Sequence, residues 1–417
     1  MSSYLLRTEK IISRIDELAG ITEDAGIITR RFGSAAFMEA GRKVLHWMRE
    51  AGLQARIDAI GNVRGVWRSD HASAKTLVIA SHIDTVRNAG RWDGPLGVLM
   101  GLDLLENVIT AKRRLPFHIE LIAFCDEEGV RFHSTYLGSK VVAGSFEPDM
   151  LNRKDEEGIS LEEVIRLVGG NPEGLKQEAI VREDWLGYFE IHIEQGPVLF
   201  ERKIPVAPVT AIAGQIRAEV VFRGMAGHAG TVPMDMRADA LCAAAEFVLE
   251  VEKLAVSAHH ELVATAGKLQ VLNAASNVIP GEVVASLDLR SADEQVLASA
   301  YDEIVGLCEG IGHRRGVTVT PKVMQASLPV VCDGRMNELL THAIQESGYE
   351  ALTLVSGAGH DAVAIAAVAP VAMLFVRCYR GISHNPLENV EAEDITAAIA
   401  VCDNFIQQLT EIWRYQP

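Results

Sequence analysis

Along this chain, short apolar runs alternate with longer stretches in which apolar positions recur at helical spacing. Ile11, Ile12, Ile15 and Leu18 fall at such intervals, and the pattern predicts helix over residues 1–54. Residues 76–80 (TLVIA) are strand-like and 97–109 (GVLMGLDLLENVI) helix-like, while 118–124 (HIELIAF) and 188–194 (YFEIHIE) alternate as strands do. Near the end, a short buried strand at 371–376 (VAMLFV) precedes a helix over 391–411. Strands alternating with helices predict an α/β/α fold, with helices on both faces of a central sheet.

The middle of the chain breaks that alternation. From about 213 the predicted order is strand (213–223), helix (236–256), strand (261–272), strand (279–290), helix (292–312), strand (316–325). This β-α-β-β-α-β order belongs to a ferredoxin-like α+β sandwich. The simplest organisation is a discontinuous catalytic domain, 1–211 and 327–417, with a smaller α+β domain inserted at 212–326. A length of 417 residues agrees, being too much for one ordinary core.

Composition narrows the partners. Hydrophobic residues make up 48% of the chain, which implies large buried surfaces. A net charge of −17 argues against nucleic acid or an anionic membrane as a partner. The N-terminus alternates charged and apolar residues and lacks the continuous apolar stretch of a signal peptide. No segment approaches the ~20 uninterrupted apolar residues of a membrane span. The 6 cysteines are scattered and form no C-x-x-C pair, so free thiols in a reducing cytoplasm are expected.

Candidate chemistry gathers where strands end. His82 and Asp84 follow the strand at 76–80, and Asp93 lies in the loop Arg91-Trp92-Asp93-Gly94. Asp126, Glu127 and Glu128 follow 118–124, His192 and Glu194 close 188–194, and His384 follows the last strand. Open α/β sheets bind ligands outside the carboxyl ends of their strands. Imidazoles and carboxylates converging there suit a divalent cation such as zinc or manganese. Taken singly, each is also an ordinary turn, cap or surface residue. Spacing alone leaves both readings open.

Eight motifs occur in order: "SHIDTV", "WDGPLG", "FCDEEGVRF", "HIEQGP", "GMAGHAGTVPM", "NVIPG", "SGAGHD" and "GISHNP". Together they resemble the metal-dependent amidohydrolase branch of the M20 peptidase family. That branch holds allantoate amidohydrolases, N-carbamoyl-L-amino acid hydrolases and β-ureidopropionases. The resemblance spans nearly the whole chain. It implies two divalent metal ions per subunit, zinc or manganese, and an inserted ferredoxin-like lid that forms a homodimer interface.

By motif, the resemblance assigns His82 and His192 to one ion, Glu128 and His384 to the other, and Asp93 as the bridge. Asp84 becomes the carboxylate that orients His82, and Glu127 the general base. His228, in "GHAG", reaches the partner subunit's active site and stabilises an oxyanion there. Asn277 and Arg290 bind the substrate carboxylate, a task suited to the planar fork of arginine. Gln195 and Gly357 are further substrate contacts, and the adjacent His360-Asp361 pair is either structural or part of the site.

The stretches "AFCDEEGVRFHSTYLGS" and "LFVRCYRGISHNPLE" look most like allantoate amidohydrolases. The expected reaction is hydrolysis of a terminal ureido group on a small carboxylate: allantoate to ureidoglycine, which decays towards ureidoglycolate, with ammonia and carbon dioxide released. One alternative is an N-carbamoyl-L-amino acid hydrolase. Another is a non-catalytic relative that keeps the fold as a binding module. That reading predicts erosion of the base or a ligand, yet Glu127 and all the assigned ligands are present.

Overall fold

The N-terminal region is two helices in the computed structural model, which describes residues 2–414. Ser2–Ala19 stops before Gly20, and Ala35–Glu50 starts behind Ser34, whose hydroxyl accepts the Phe37 N–H at 3.0 Å. Between them Gly26 and Gly33 take φ of 86° and 77°, a turn of the chain that apolar spacing does not register. The predicted helix over 1–54 therefore holds for two segments, and its end, from Gln54, is an edge strand instead.

The chain divides into two compact units, residues 1–210 with 332–417, and residues 211–331. In the first, the sheet runs in the order Gln54–Ile57, Val63–Trp67, His118–Phe124, Thr76–His82, Trp185–Ile193, Val371–Val376, Val206–Ile212. The middle four strands are mutually parallel, and the flanking ones pair antiparallel. Every residue of Trp185–Ile193 is buried, as expected of a parallel strand covered on both faces. The helices Ser2–Ala19, Pro95–Thr110, Gly334–Glu346 and Ala392–Arg414 pack on one another over the sheet. Pro95 opens its helix at N1, where the missing N–H costs nothing. Two residues on, a Cβ at Gly97 would overlap the Ile191 carbonyl oxygen, so this helix lies directly on the strand that ends in the site. Among the described residues, no helix is long and apolar enough to cross a membrane.

The second unit is an antiparallel sheet in the order Leu269–Val271, Glu282–Ser291, Gly214–Arg223, Thr318–Ser327, with Val263–Thr265 also paired to Glu282–Ser291. Glu282–Ser291 alternates buried and half-buried residues, the mark of a sheet covered on one side. The helices Ala240–Ser257 and Glu294–Arg315 supply the cover, and Phe222, Phe247, Leu289 and Ile304 share one core with it. This is the predicted strand and helix order. The strand expected over 261–272 is split in two at Ala266-Gly267-Lys268.

Candidate metal centre

Parallel strands bring their carboxyl ends to one edge. His82 is the last residue of Thr76–His82, His192 the last but one of Trp185–Ile193, and Glu127 and Glu128 follow the neighbouring His118–Phe124. Asp93 arrives from the loop before the Pro95–Thr110 helix. Gly94 makes that approach feasible: its φ is 84°, and a Cβ would stand 2.5 Å from the His82 ring.

Asp93 is the centre of the cluster. Its Oδ1 lies 3.0 Å from His192 Nε2 and 3.7 Å from His82 Nε2. Its Oδ2 lies 3.2 Å from His384 Nε2, which in turn is 3.5 Å from Glu128 Oε1. Three sets of ligand atoms each fall within 4.8 Å of one another: His82-Asp93-His192, Asp93-Glu128-His384 and His82-Glu127-Glu128. Donors about 2.0–2.2 Å from a shared divalent ion stand roughly 3–4 Å apart. The first two sets fit a pair of cations with Asp93 common to both. His384 has a half-exposed side chain and forms the solvent side of the cluster.

The imidazoles are fixed by the main chain. His82 Nδ1–H donates to the Asp84 carbonyl at 3.0 Å, and His192 Nδ1–H to the Ile193 carbonyl at 2.9 Å. Both Nε2 atoms are thereby left facing Asp93, with their lone pairs available. The partner of His82 is thus the main chain of Asp84, since the Asp84 Oδ1 stands 3.9 Å from Nδ1. The Asp84 carboxylate instead accepts the N–H groups of Glu127 at 3.2 Å and Glu128 at 3.1 Å. Those two N–H groups lie in the turn after the strand, and they claim the carboxylate. Asp84 therefore ties two strand ends together and sets the double-glutamate turn.

Burial is the largest single influence on His82 and His192 and would lower both, but the hydrogen bond to Asp93 and the surrounding carboxylates, Glu127 and Asp84 at His82 and Glu190 at His192, together raise them. The Asp93 contact, against a smaller burial penalty, raises His384 to about 9. Asp93 is pushed well below the usual carboxylate range despite its burial, by those same three imidazoles. Burial and then neighbouring carboxylates raise Glu127 well above its ordinary value, although His82 opposes this, and raise Glu128 to about 7. A site that collects this many buried carboxylates is one that attracts cations.

The residues assigned to the substrate fall in two places. Gln195, at φ 56°, donates through Nε2 to Asp93 Oδ2 at 2.9 Å and borders the cluster. Gly357 is exposed at the end of Leu354–Ser356. His360 packs edge-on to the His192 ring, centroids 4.5 Å apart, and its Nε2 lies 2.8 Å from Ser356 Oγ. In the second unit, Gly227–His228 pairs with Val278–Ile279, and the Ala229 N–H donates to the Asn277 carbonyl at 2.9 Å. This ribbon holds His228 and Asn277 together, both exposed. His228 Nδ1 accepts the Gly230 N–H at 3.1 Å, which leaves the ring's N–H on Nε2, free to donate outward. Arg290 grips Asp288 with two hydrogen bonds of 2.8 and 3.1 Å, and Arg217 shares that carboxylate at 3.1 Å.

Residues 78–408 match Peptidase family M20/M25/M40, from the first central strand into the last helix. The chain belongs to this family. It is 37% identical to a probable allantoate deiminase of Oryza sativa subsp. japonica, over 97% of this chain and 89% of that one. It is 36% identical to an N-carbamoyl-L-amino acid amidohydrolase of Geobacillus stearothermophilus, over 98% of this chain and 100% of that one. Among solved structures, an amidase of the hydantoinase/carbamoylase family from Burkholderia multivorans superposes with a TM-score of 0.91 at 31% identity, over 97% of this chain and 98% of that one. The M20/M25/M40 chain is accordingly a hydrolase of carbon–nitrogen bonds in amides.

Three further residues of this M20/M25/M40 hydrolase serve the site without having stood out in the sequence. Ser383 Oγ lies 2.8 Å from Asp93 Oδ2, and the buried Glu388 accepts the N–H groups of Trp92 and Asp93 at 2.7 and 3.1 Å. The only signal for either was proximity to His384 in "GISHNPLE". Arg30 is buried and donates to the carbonyls of Ile83 (2.6 Å), Leu18 (2.8 Å) and Ile21 (3.1 Å), stapling the first loop to the strand exit at His82. Glu194 turns away from the cluster and caps the Val198–Arg202 helix, accepting Val198 and Leu199 N–H at 2.8 and 2.9 Å.

Proposed function

We propose that this chain hydrolyses the terminal ureido group of a small carboxylate, allantoate before others, with two divalent cations. The observation that carries the proposal is Asp93, shared between two three-residue donor sets, with Glu127 in the adjoining set beside His82 and Glu128. His82, Asp93 and His192 would hold one ion, and Asp93, Glu128 and His384 the other. Zinc and manganese both suit mixed imidazole and carboxylate ligation. Bound there, the ions would supply Lewis acidity, polarising the ureido carbonyl and making water a better acid.

The chain's own residues divide the remaining work. Glu127 takes a proton as water adds to the carbonyl and returns it to the departing nitrogen, so R–NH–CO–NH2 and water become R–NH2, carbon dioxide and ammonia. His228, with Nε2–H directed outward, donates to the developing oxyanion, acting from the inserted domain of one subunit on the partner subunit of a homodimer. Asn277 and Arg290 take the substrate carboxylate, with Gln195 and Gly357 as further substrate contacts. The place of action is the cytoplasm.

The substrate choice leans on the motif stretches and on the rice relative. The Geobacillus relative, almost equal in identity and coverage, supports the second reading, an N-carbamoyl-L-amino acid hydrolase. Ammonia release from allantoate and from N-carbamoyl-L-methionine, measured side by side on metal-reconstituted protein, separates them. We expect allantoate to give the higher kcat/KM by at least tenfold. Turnover of the carbamoyl amino acid alone would transfer the assignment to the second reading.

A further inference from the structure

Asp93 is the residue on which both proposed ions depend, and something must fix it before either arrives. Its loop is gripped from behind by Glu388. Glu388 Oε1 accepts the Trp92 N–H at 2.7 Å and the Asp93 N–H at 3.1 Å. A Cβ at Gly90 would overlap the Glu388 carboxyl group, so residues 90–93 wrap directly around that carboxylate. The other oxygen, Oε2, lies 3.2 Å from Ser383 Oγ, and Ser383 Oγ lies 2.8 Å from Asp93 Oδ2. Glu388 is 4% exposed and is steadied by its own turn, in which its N–H donates to the Asn385 carbonyl at 3.0 Å. His384, between Ser383 and that turn, has φ 54°, a strained value for a residue other than glycine. The kink lets two consecutive side chains, Ser383 and His384, reach the same Asp93 oxygen.

We propose that Glu388 is a positioning residue for Asp93, holding its backbone directly and its carboxylate through Ser383, so that both cation sites are set by a residue that binds neither ion. The inference rests on the two-ion reading above. Its consequence is specific: a defect at Glu388 must weaken both ions together, whereas loss of His384 removes one. Outer residues that orient a metal ligand are worth about 10–100-fold in affinity.

The test is titration of chelator-stripped protein with Zn2+ by calorimetry and with Co2+ by its visible d–d bands. Wild type is expected to take up two ions. Glu388→Ala should weaken both by about 10–100-fold and alter the cobalt spectrum, while Glu388→Gln, whose amide oxygen still accepts the two N–H groups, should stay within about threefold of wild type. Ser383→Ala, which keeps the backbone grip, should weaken both ions by a smaller factor, and His384→Ala should lose one only. Circular dichroism of the stripped variants checks folding; should Glu388→Ala fail to fold, Ser383→Ala decides. Two ions bound with wild-type affinity and an unchanged cobalt spectrum in the deciding variant, or weakening of one ion alone, would overturn the inference. Fewer than two ions on wild type would overturn the two-ion reading beneath it.

Discussion

At the scale of single residues, the site is a balance between one depressed carboxylate and several raised groups. Asp93 gains stability from its three imidazoles above its ordinary value of 3.8 and loses it on acidification. Glu128 runs the other way: raised from 4.5 to about 7 by burial and by Asp93, it favours the folded state below 4.5 and loses that advantage as pH rises through 7. His384, raised from 6.5 to about 9, contributes fully below 6.5 and loses its share through pH 9. The stripped protein should therefore melt several degrees lower at pH 9 than at pH 5.5, and saturating Zn2+ should remove most of that fall by replacing the protons. Calorimetric scans at both pH values, with and without the ion, check this; a stripped protein that is more stable at pH 9 contradicts it. His82→Ala should lose one ion outright. Asp84→Asn should retain both, since the His82 partner is the Asp84 carbonyl. Its amide accepts only one of the Glu127 and Glu128 N–H groups, so kcat should drop about 10–100-fold through a loosened base. Metal analysis beside steady-state rates distinguishes the two variants.

At the scale of elements, the site exists because parallel strands end at the same edge and glycines let loops close over them. Gly94→Ala combines a φ of 84° with a Cβ 2.5 Å from His82, and should cost about 1–3 kcal/mol with weaker binding at the His82 ion. A thermal midpoint and a metal titration measure both. The same geometry explains what could be read beforehand. The central strands and most long helices were visible because buried strands are apolar runs and covering helices repeat at 3.6 residues. The helix break after Ala19 and the strands Gln54–Ile57 and Val63–Trp67 were not: the first strand is a half-exposed edge, and the second is short and interrupted by Arg64 and Gly65, so neither carries a continuous apolar signal. At the site, the polar residues at strand exits could be picked out singly, but not their partners. Glu194 looks equivalent to Glu128 in sequence, yet the helix start four residues on takes its carboxylate. Glu388 reads as a surface glutamate after "NPL" and is buried only because a loop nearly 300 residues earlier folds around it, at a separation |i−j| of 296. Local pattern carries no information about such a pairing.

At the scale of the whole molecule, an α/β unit with the candidate metal cluster is interrupted by an α+β unit with a ribbon-borne histidine. If His228 acts across a homodimer, two inactive proteins should complement each other. A Glu127→Gln subunit retains His228, and a His228→Ala subunit retains Glu127, so mixing and reassembling them should restore one working site per heterodimer. Activity recovered on mixing supports this, and its absence despite demonstrated heterodimers places His228 outside catalysis. The most direct test of the central claim is ammonia release from allantoate, measured on stripped, Zn2+-reconstituted and Mn2+-reconstituted wild type beside Glu127→Gln loaded with the same ions. The account predicts turnover that appears with the second equivalent of ion and falls at least a thousandfold, about 4 kcal/mol of barrier, in Glu127→Gln at unchanged metal content. Full turnover by the stripped chain, or by loaded Glu127→Gln, would contradict it.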